Sequence, residues 1–150
     1  MISQDAGMLI RAMKLDDIDE VVEMYLNYLK HFGHEVKHDK LNSFLKEIFT
    51  KGWVNITLAC EGQEILGFLT FCDTFSPIST CLAFHIKDLF IKPQHRHKGI
   101  GTMLLQNVEI IARSKVVGKL FVHSEDNEIS FYEKHGWKTH TATFLSKTLF

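Results

Sequence analysis

The segment Leu89-Phe90-Ile91-Lys92-Pro93-Gln94-His95-Arg96-His97-Lys98-Gly99-Ile100-Gly101-Thr102 joins an apolar strand end, a proline turn, an Arg-x-x-Gly-x-Gly loop and the start of a helix. These residue types suit a diphosphate. Glycines let backbone N–H groups approach phosphate oxygens closely. A helix that begins there aims its positive dipole end and its unpaired N–H groups at the same spot. Arg96 and Lys98 add positive charge, and Thr102 adds a hydroxyl in the first turn. From His97 to Thr102 the contact is mostly backbone, so side-chain identity matters chiefly at Gly99 and Gly101. The loop lacks the third glycine of a dinucleotide fingerprint and the Gly-Lys-Ser/Thr of a Walker loop.

A second segment, Phe131-Tyr132-Glu133-Lys134-His135-Gly136-Trp137, follows about thirty residues later. Together the two resemble the GCN5-related N-acetyltransferase (GNAT) family. Arg96, Gly99, Gly101, Leu104 and Leu105 fall in register on that family's acyl-CoA pyrophosphate loop. The second segment is similar to its Phe/Leu-Tyr-Glu-Lys-x-Gly-Phe motif. The pattern covers most of the chain, with the sharp matches between Asp88 and Trp137.

The resemblance implies acetyl-CoA as acetyl-donor co-substrate. It places the backbone of Leu89, Phe90 and Ile91 beside the acetyl group and pantetheine. It also implies direct attack of an amine on the thioester, with Tyr132 as general acid. A tyrosine of ordinary pKa, about 10, stays protonated at neutral pH and can serve a departing thiolate. Asp88 resembles an acidic position of polyamine-type members. It either accepts the amine's proton or orders the loop. Lys87 replaces the first acid of that pair, which counts against a strictly polyamine substrate. The family's asparagine seven residues before the tyrosine is Glu125 here. Asn127 is expected as an N-cap whose segment passes along the cofactor through its backbone, and Lys134 as a phosphate contact or a surface lysine.

Candidate acceptor contacts lie on the first two helices and their joining loop: Tyr25, Tyr28, Phe32 and Glu35. Phe75 is a candidate for the opposing wall, and His85 is the histidine best placed to face a pocket. The other histidines, including His31, His34, His38, His95 and His97, show no ligand set for a metal. No cysteine lies in either motif, so a covalent acetyl-cysteine route is not supported.

These residues must be positioned by the rest of the chain. At 150 residues it reads as one domain, 1–150, with 45% hydrophobic and 23% charged residues, as in a globular protein. A net charge of -1 gives no basic footprint for nucleic acid. Three cysteines without metal spacing favour a reducing, cytoplasmic setting. No signal peptide or membrane span is expected.

Periodicity predicts a strand over 8–13, then a helix over 18–32 capped by Asp16 or Asp17 and stopped by Gly33. A second helix is expected over 40–50. Strands follow over 55–61, 64–73 and 80–91, the first two joined by a tight turn at Gly62-Gln63. In the third, Phe84 and Ile86 alternate, then Leu89 and Ile91 alternate one residue out of step, as a β-bulge would produce. A helix with Ile100, Met103, Leu104, Val108, Ile111 and Ala112 inward comes next. A strand over 119–123, a helix over 127–134 and a last strand over 139–148 complete the order β-α-α-β-β-β-α-β-α-β. The expected fold is α/β (α+β), a GNAT-like, mostly antiparallel mixed sheet with helices on both faces.

The function expected is acetyl transfer from acetyl-CoA to a primary amine: a small amine, a polyamine or an amino-acid-like acceptor. Rival readings are transfer to a protein lysine or N-terminus, a non-catalytic acyl-CoA sensor module and, least favoured, a nucleotide-binding domain. Dimers are frequent in the family, and residues 141–148 are the candidate interface of a homodimer.

Overall fold

Residues 56–60 and 65–71 are buried almost without a break, which requires strands covered on both faces. In the computed structural model, which describes residues 2–4 and 7–150, they form the centre of a six-stranded sheet. Its strands are β1 (Ile2–Gln4), β2 (Met8–Ala12), β3 (Asn55–Glu61), β4 (Glu64–Ser76), β5 (Cys81–Ile91) and β6 (Lys119–Val122). They lie side by side in chain order. Every pairing is antiparallel except β5 with β6, which is parallel.

Helices α1 (Ile18–His31) and α2 (His38–Thr50) cover one face. There Val21, Val22, Met24 and Leu45 pack with Leu58, Ile65 and Phe68. Helices α3 (Ile100–Ser114) and α4 (Ile129–Glu133) cover the other. There Leu104, Leu105, Val108 and Tyr132 meet Ala59, Leu66, Leu69 and Phe84. This is the mixed, mostly antiparallel sheet with helices on both faces that the sequence implies. Gly33 ends α1 at φ 78°, a left-handed position that glycine adopts without a Cβ penalty. No helix among the described residues is long and apolar enough to cross a membrane.

The structure corrects four local expectations. Residues 139–148 form no strand, and 138–150 are exposed. Their threonines favour extended backbone, but a strand needs a ladder partner, and β6 pairs only with β5 among the described residues. Strand β1 was not expected, because three residues carry no readable period. Asp17 precedes α1 but does not cap it with its side chain. Its carboxylate instead accepts from Lys14 N–H at 2.7 Å and from the Arg11 guanidinium at 2.8 and 2.9 Å. Asn127 is not an N-cap either: it sits inside a 3-10 turn, Asp126–Glu128, that leads into α4.

Candidate active site

The predicted slip in β5 is real. Thr70 pairs with Asp88 but Phe71 pairs with Ile86, so Lys87 is the extra residue of a bulge. The bulge keeps Phe84, Ile86, Leu89 and Ile91 on the α3 face. It turns Asp88 and Phe90 toward α1, where Phe90 packs and Asp88 meets Tyr25. The parallel pairing of β5 with β6 runs only from Ala83 and Lys119 to Ile86 and Val122. Beyond it the strands part, and among the described residues the Leu89–Ile91 edge facing the gap has no strand partner, its Ile91 O accepting from the Arg96 side chain.

That edge runs into the glycine loop. Among the described residues, the six N–H groups from His97 to Thr102 have no hydrogen-bond acceptor. His97 and Gly99 hold left-handed φ values of 62° and 79°. Such turns point successive N–H groups inward as an anion nest. The two glycines do different work. Gly99 supplies the backbone turn, and a Cβ there would meet open space. Gly101 admits a neighbour: a Cβ there would lie 3.3 Å from the Phe131 ring. Arg96 braces the loop, donating from Nε to Ile91 O at 2.9 Å with its guanidinium over the Phe90 ring. Thr102 is tied to α4 through His135. The His135 Nδ1–H donates to Phe131 O at 2.7 Å, which leaves Nε2 to accept from the Thr102 hydroxyl at 3.0 Å. Free N–H groups in a row, beside an unpaired strand edge, are the donor set that a diphosphate and an amide-bearing arm require.

A cleft of about 240 Å³ opens on the α1 side of the same edge. Leu89, Phe90, Ile91 and Arg96 form one wall, and Tyr28, His31 and Phe32 form the other. Glu128 stands at its mouth. Partial burial, with Glu125's charge beside it, pushes the Glu128 carboxyl above its usual range. Tyr28 packs edge-on to Phe32 and Phe90, and burial raises its hydroxyl above the ordinary tyrosine value.

Tyr132 is buried, only 7% exposed, and edge-on to Phe131 and Trp137. Its hydroxyl has no hydrogen-bond partner among the described residues, yet it is not sealed off. Burial, then the charge of Glu128, push its pKa up to about 12. Asp88 is differently placed. Its Oδ2 accepts from Thr70 at 2.9 Å and from Tyr25. Burial and Asp88 hold the Tyr25 hydroxyl well above its ordinary pKa.

The structure therefore brings Tyr28, Phe32, Leu89, Phe90, Ile91 and Arg96 into one cleft. Tyr25 lies beneath it as Asp88's partner. Glu35 and Phe75 are exposed away from it, Phe75 near the tip of the β4–β5 hairpin. His85 lies at the parting of β5 and β6 rather than in the cleft, hydrogen-bonded to His123. Lys134 lies over the Phe131 ring, and the Asn127 side chain makes no hydrogen bond among the described residues. His31 and Glu128 were missed. Helical spacing points to both, since His31 is three residues after Tyr28 and Glu128 four before Tyr132.

Residues 16–149 match the family described as acetyltransferase (GNAT) domain. The uncharacterized N-acetyltransferase YhfO of Bacillus subtilis (strain 168) is 27% identical over 137 residues, spanning 89% of this chain and 92% of that protein. A spermidine N(1)-acetyltransferase of Thermoplasma acidophilum is 26% identical over 145 residues, 86% of this chain and 87% of that protein. Among solved structures, a possible acetyltransferase from Clostridium difficile 630 superposes with a TM-score of 0.84 at 16% identity, covering 96% of this chain and 99% of that one. At that identity the likeness is one of fold.

Proposed function

The chain belongs to the GNAT family of acetyltransferases, and from that membership we propose that it moves the acetyl group of acetyl-CoA to a primary amine on a small molecule. One observation carries the reading: the free N–H groups of His97 to Thr102 continue directly from the unpaired edge of Leu89 to Ile91. The loop would take the diphosphate and the strand edge the pantetheine amides. The acceptor would enter through the cleft between α1 and that edge.

Tyr132 is the proposed general acid. At about 12 its pKa keeps it protonated throughout the physiological range. It lies well above an ordinary thiol near 8.5, so full transfer to a free thiolate would be uphill by roughly 5 kcal/mol. The donation therefore accompanies C–S cleavage, with the hydrogen bond strengthening as charge grows on sulfur. The Thermoplasma relative supports small amines as the acceptor class. Lys87 at the bulge, and Arg96 in the cleft wall, work against a purely polycationic acceptor.

The test is thiol release from acetyl-CoA against polyamines, amino acids, aminoglycosides and peptides, paired with calorimetric acetyl-CoA binding. Release with one class of small amine supports the reading. Binding with no release across the panel points instead to a sensor module or a protein acceptor.

A further inference from the structure

We propose that His85 is the base that deprotonates the acceptor amine, and that His123 relays the proton from it to solvent. The inference deepens the acetyl-transfer reading and rests on it. His85 lies on β5, two residues before the bulge, in the stretch where the pairing of β5 with β6 ends. His123 is the first residue past β6. The two side chains close across that parting, His85 Nε2 to His123 Nδ1 at 3.0 Å. The neighbours Phe84 and Ile86 point into the α3 face. By strand alternation His85 points to the α1 face, the side on which the cleft opens. Tyr132 belongs to the α3 side. Base and acid thus flank the gap from opposite faces, as attack from one side and departure toward the other require.

Asp88, the carboxylate nearest the bulge, is engaged by two hydroxyls. Burial, then Lys87, then His123 lower the pKa of His85, so it stays neutral at pH values where an exposed histidine begins to charge. A base must be unprotonated to act, and one that titrates near or below neutrality is available at working pH. Facing groups on the neighbouring elements are Lys87 on β5, His123 after β6 and Cys72 on β4, whose thiol contacts His85 O. Phe144 of the C-terminal segment packs on the His123 ring and covers that side.

The proton balance closes. The acceptor arrives as an ammonium and leaves as an amide, so its nitrogen loses two protons. In the tautomer that serves a base, His85 takes the first on Nδ1 and passes its Nε2 proton to His123 Nδ1. His123 then releases its own Nε2 proton to water. Nitrogen forms the C–N bond as the C–S bond breaks, and its second proton leaves to water, through which the two imidazoles regain their starting tautomers. The sulfur gains a proton from Tyr132, which solvent restores. The net products are amide, thiol and one proton.

The experiment compares wild type, His85→Gln, His123→Gln and Glu128→Gln by thiol release across pH, alongside imidazole NMR titration and acetyl-CoA calorimetry. The dyad predicts a roughly 100- to 1,000-fold loss of kcat near neutral pH in H85Q. That loss shrinks as pH rises toward the acceptor's own pKa, where free amine no longer needs a base. H123Q raises the NMR-measured pKa of His85 and costs less activity, and acetyl-CoA affinity stays unchanged in both. A structural role for His85 would give a loss that pH does not rescue. Wild-type release with an unaltered H85Q profile, or loss of the acid limb in E128Q instead, overturns the dyad and leaves acetyl transfer standing. No release by wild type with any amine overturns the acetyl-transfer reading, and the dyad with it.

Discussion

The fully buried hydroxyl of Thr70 donates a 2.9 Å hydrogen bond to Asp88 Oδ2, across the ladder pair that precedes the bulge. Tyr25 donates to the same oxygen from α1. The carboxylate thereby pins the bulge to the helix layer. Asp88→Asn keeps the shape but replaces an anionic acceptor with a neutral one. The expected cost is about 1–3 kcal/mol of stability, read by denaturant unfolding. Turnover of the folded fraction should fall by less than it does in H85Q.

Tyr132→Phe removes only the free hydroxyl. The ring contacts with Phe131 and Trp137 remain, so the fold should persist. Steady-state kinetics should show kcat reduced roughly 100- to 10,000-fold, with calorimetric acetyl-CoA affinity within a factor of about two. An unchanged kcat would remove Tyr132 from the chemistry.

The two glycines of the loop separate two effects. Gly99→Ala meets no neighbour but must hold φ 79°, at a cost of about 1–2 kcal/mol. If the loop relaxes to avoid that cost, acetyl-CoA affinity falls roughly tenfold while the melting temperature barely moves. Gly101→Val instead crowds the Phe131 ring and should lower stability first.

How much of this was legible follows from where the signals lie. The loop and its helix show in sequence because backbone geometry demands glycine and apolar spacing there. The bulge shows because one extra residue breaks a period of two between Ile86 and Leu89. The His85–His123 contact joins residues 38 apart in the chain, and no local pattern encodes it. Glu128 stood unread because its neighbours in the cleft, Tyr28 and His31, come from α1. The C-terminal segment misled because β-branched residues report propensity, not the presence of a partner strand.

Arg11 and Asp17 give the stability profile a readable acid limb. The guanidinium holds the Asp17 carboxyl below its usual value, against the opposing effect of burial. A depressed carboxylate pKa contributes stability above the unfolded value and loses it as pH falls through the folded one. Arg11→Leu should therefore cost about 1–2 kcal/mol at neutral pH. The gap from wild type should narrow below pH 3.8, the ordinary carboxyl value. Urea unfolding at several pH values measures it, and a gap independent of pH would contradict the assignment.

The most direct test of the acetyl-CoA site is an amide NMR titration of the assigned protein with acetyl-CoA. The account predicts that the largest shifts fall on the six N–H groups from His97 to Thr102 and on the edge from Leu89 to Ile91. Saturable shifts centred elsewhere, or none at millimolar acetyl-CoA, would contradict it.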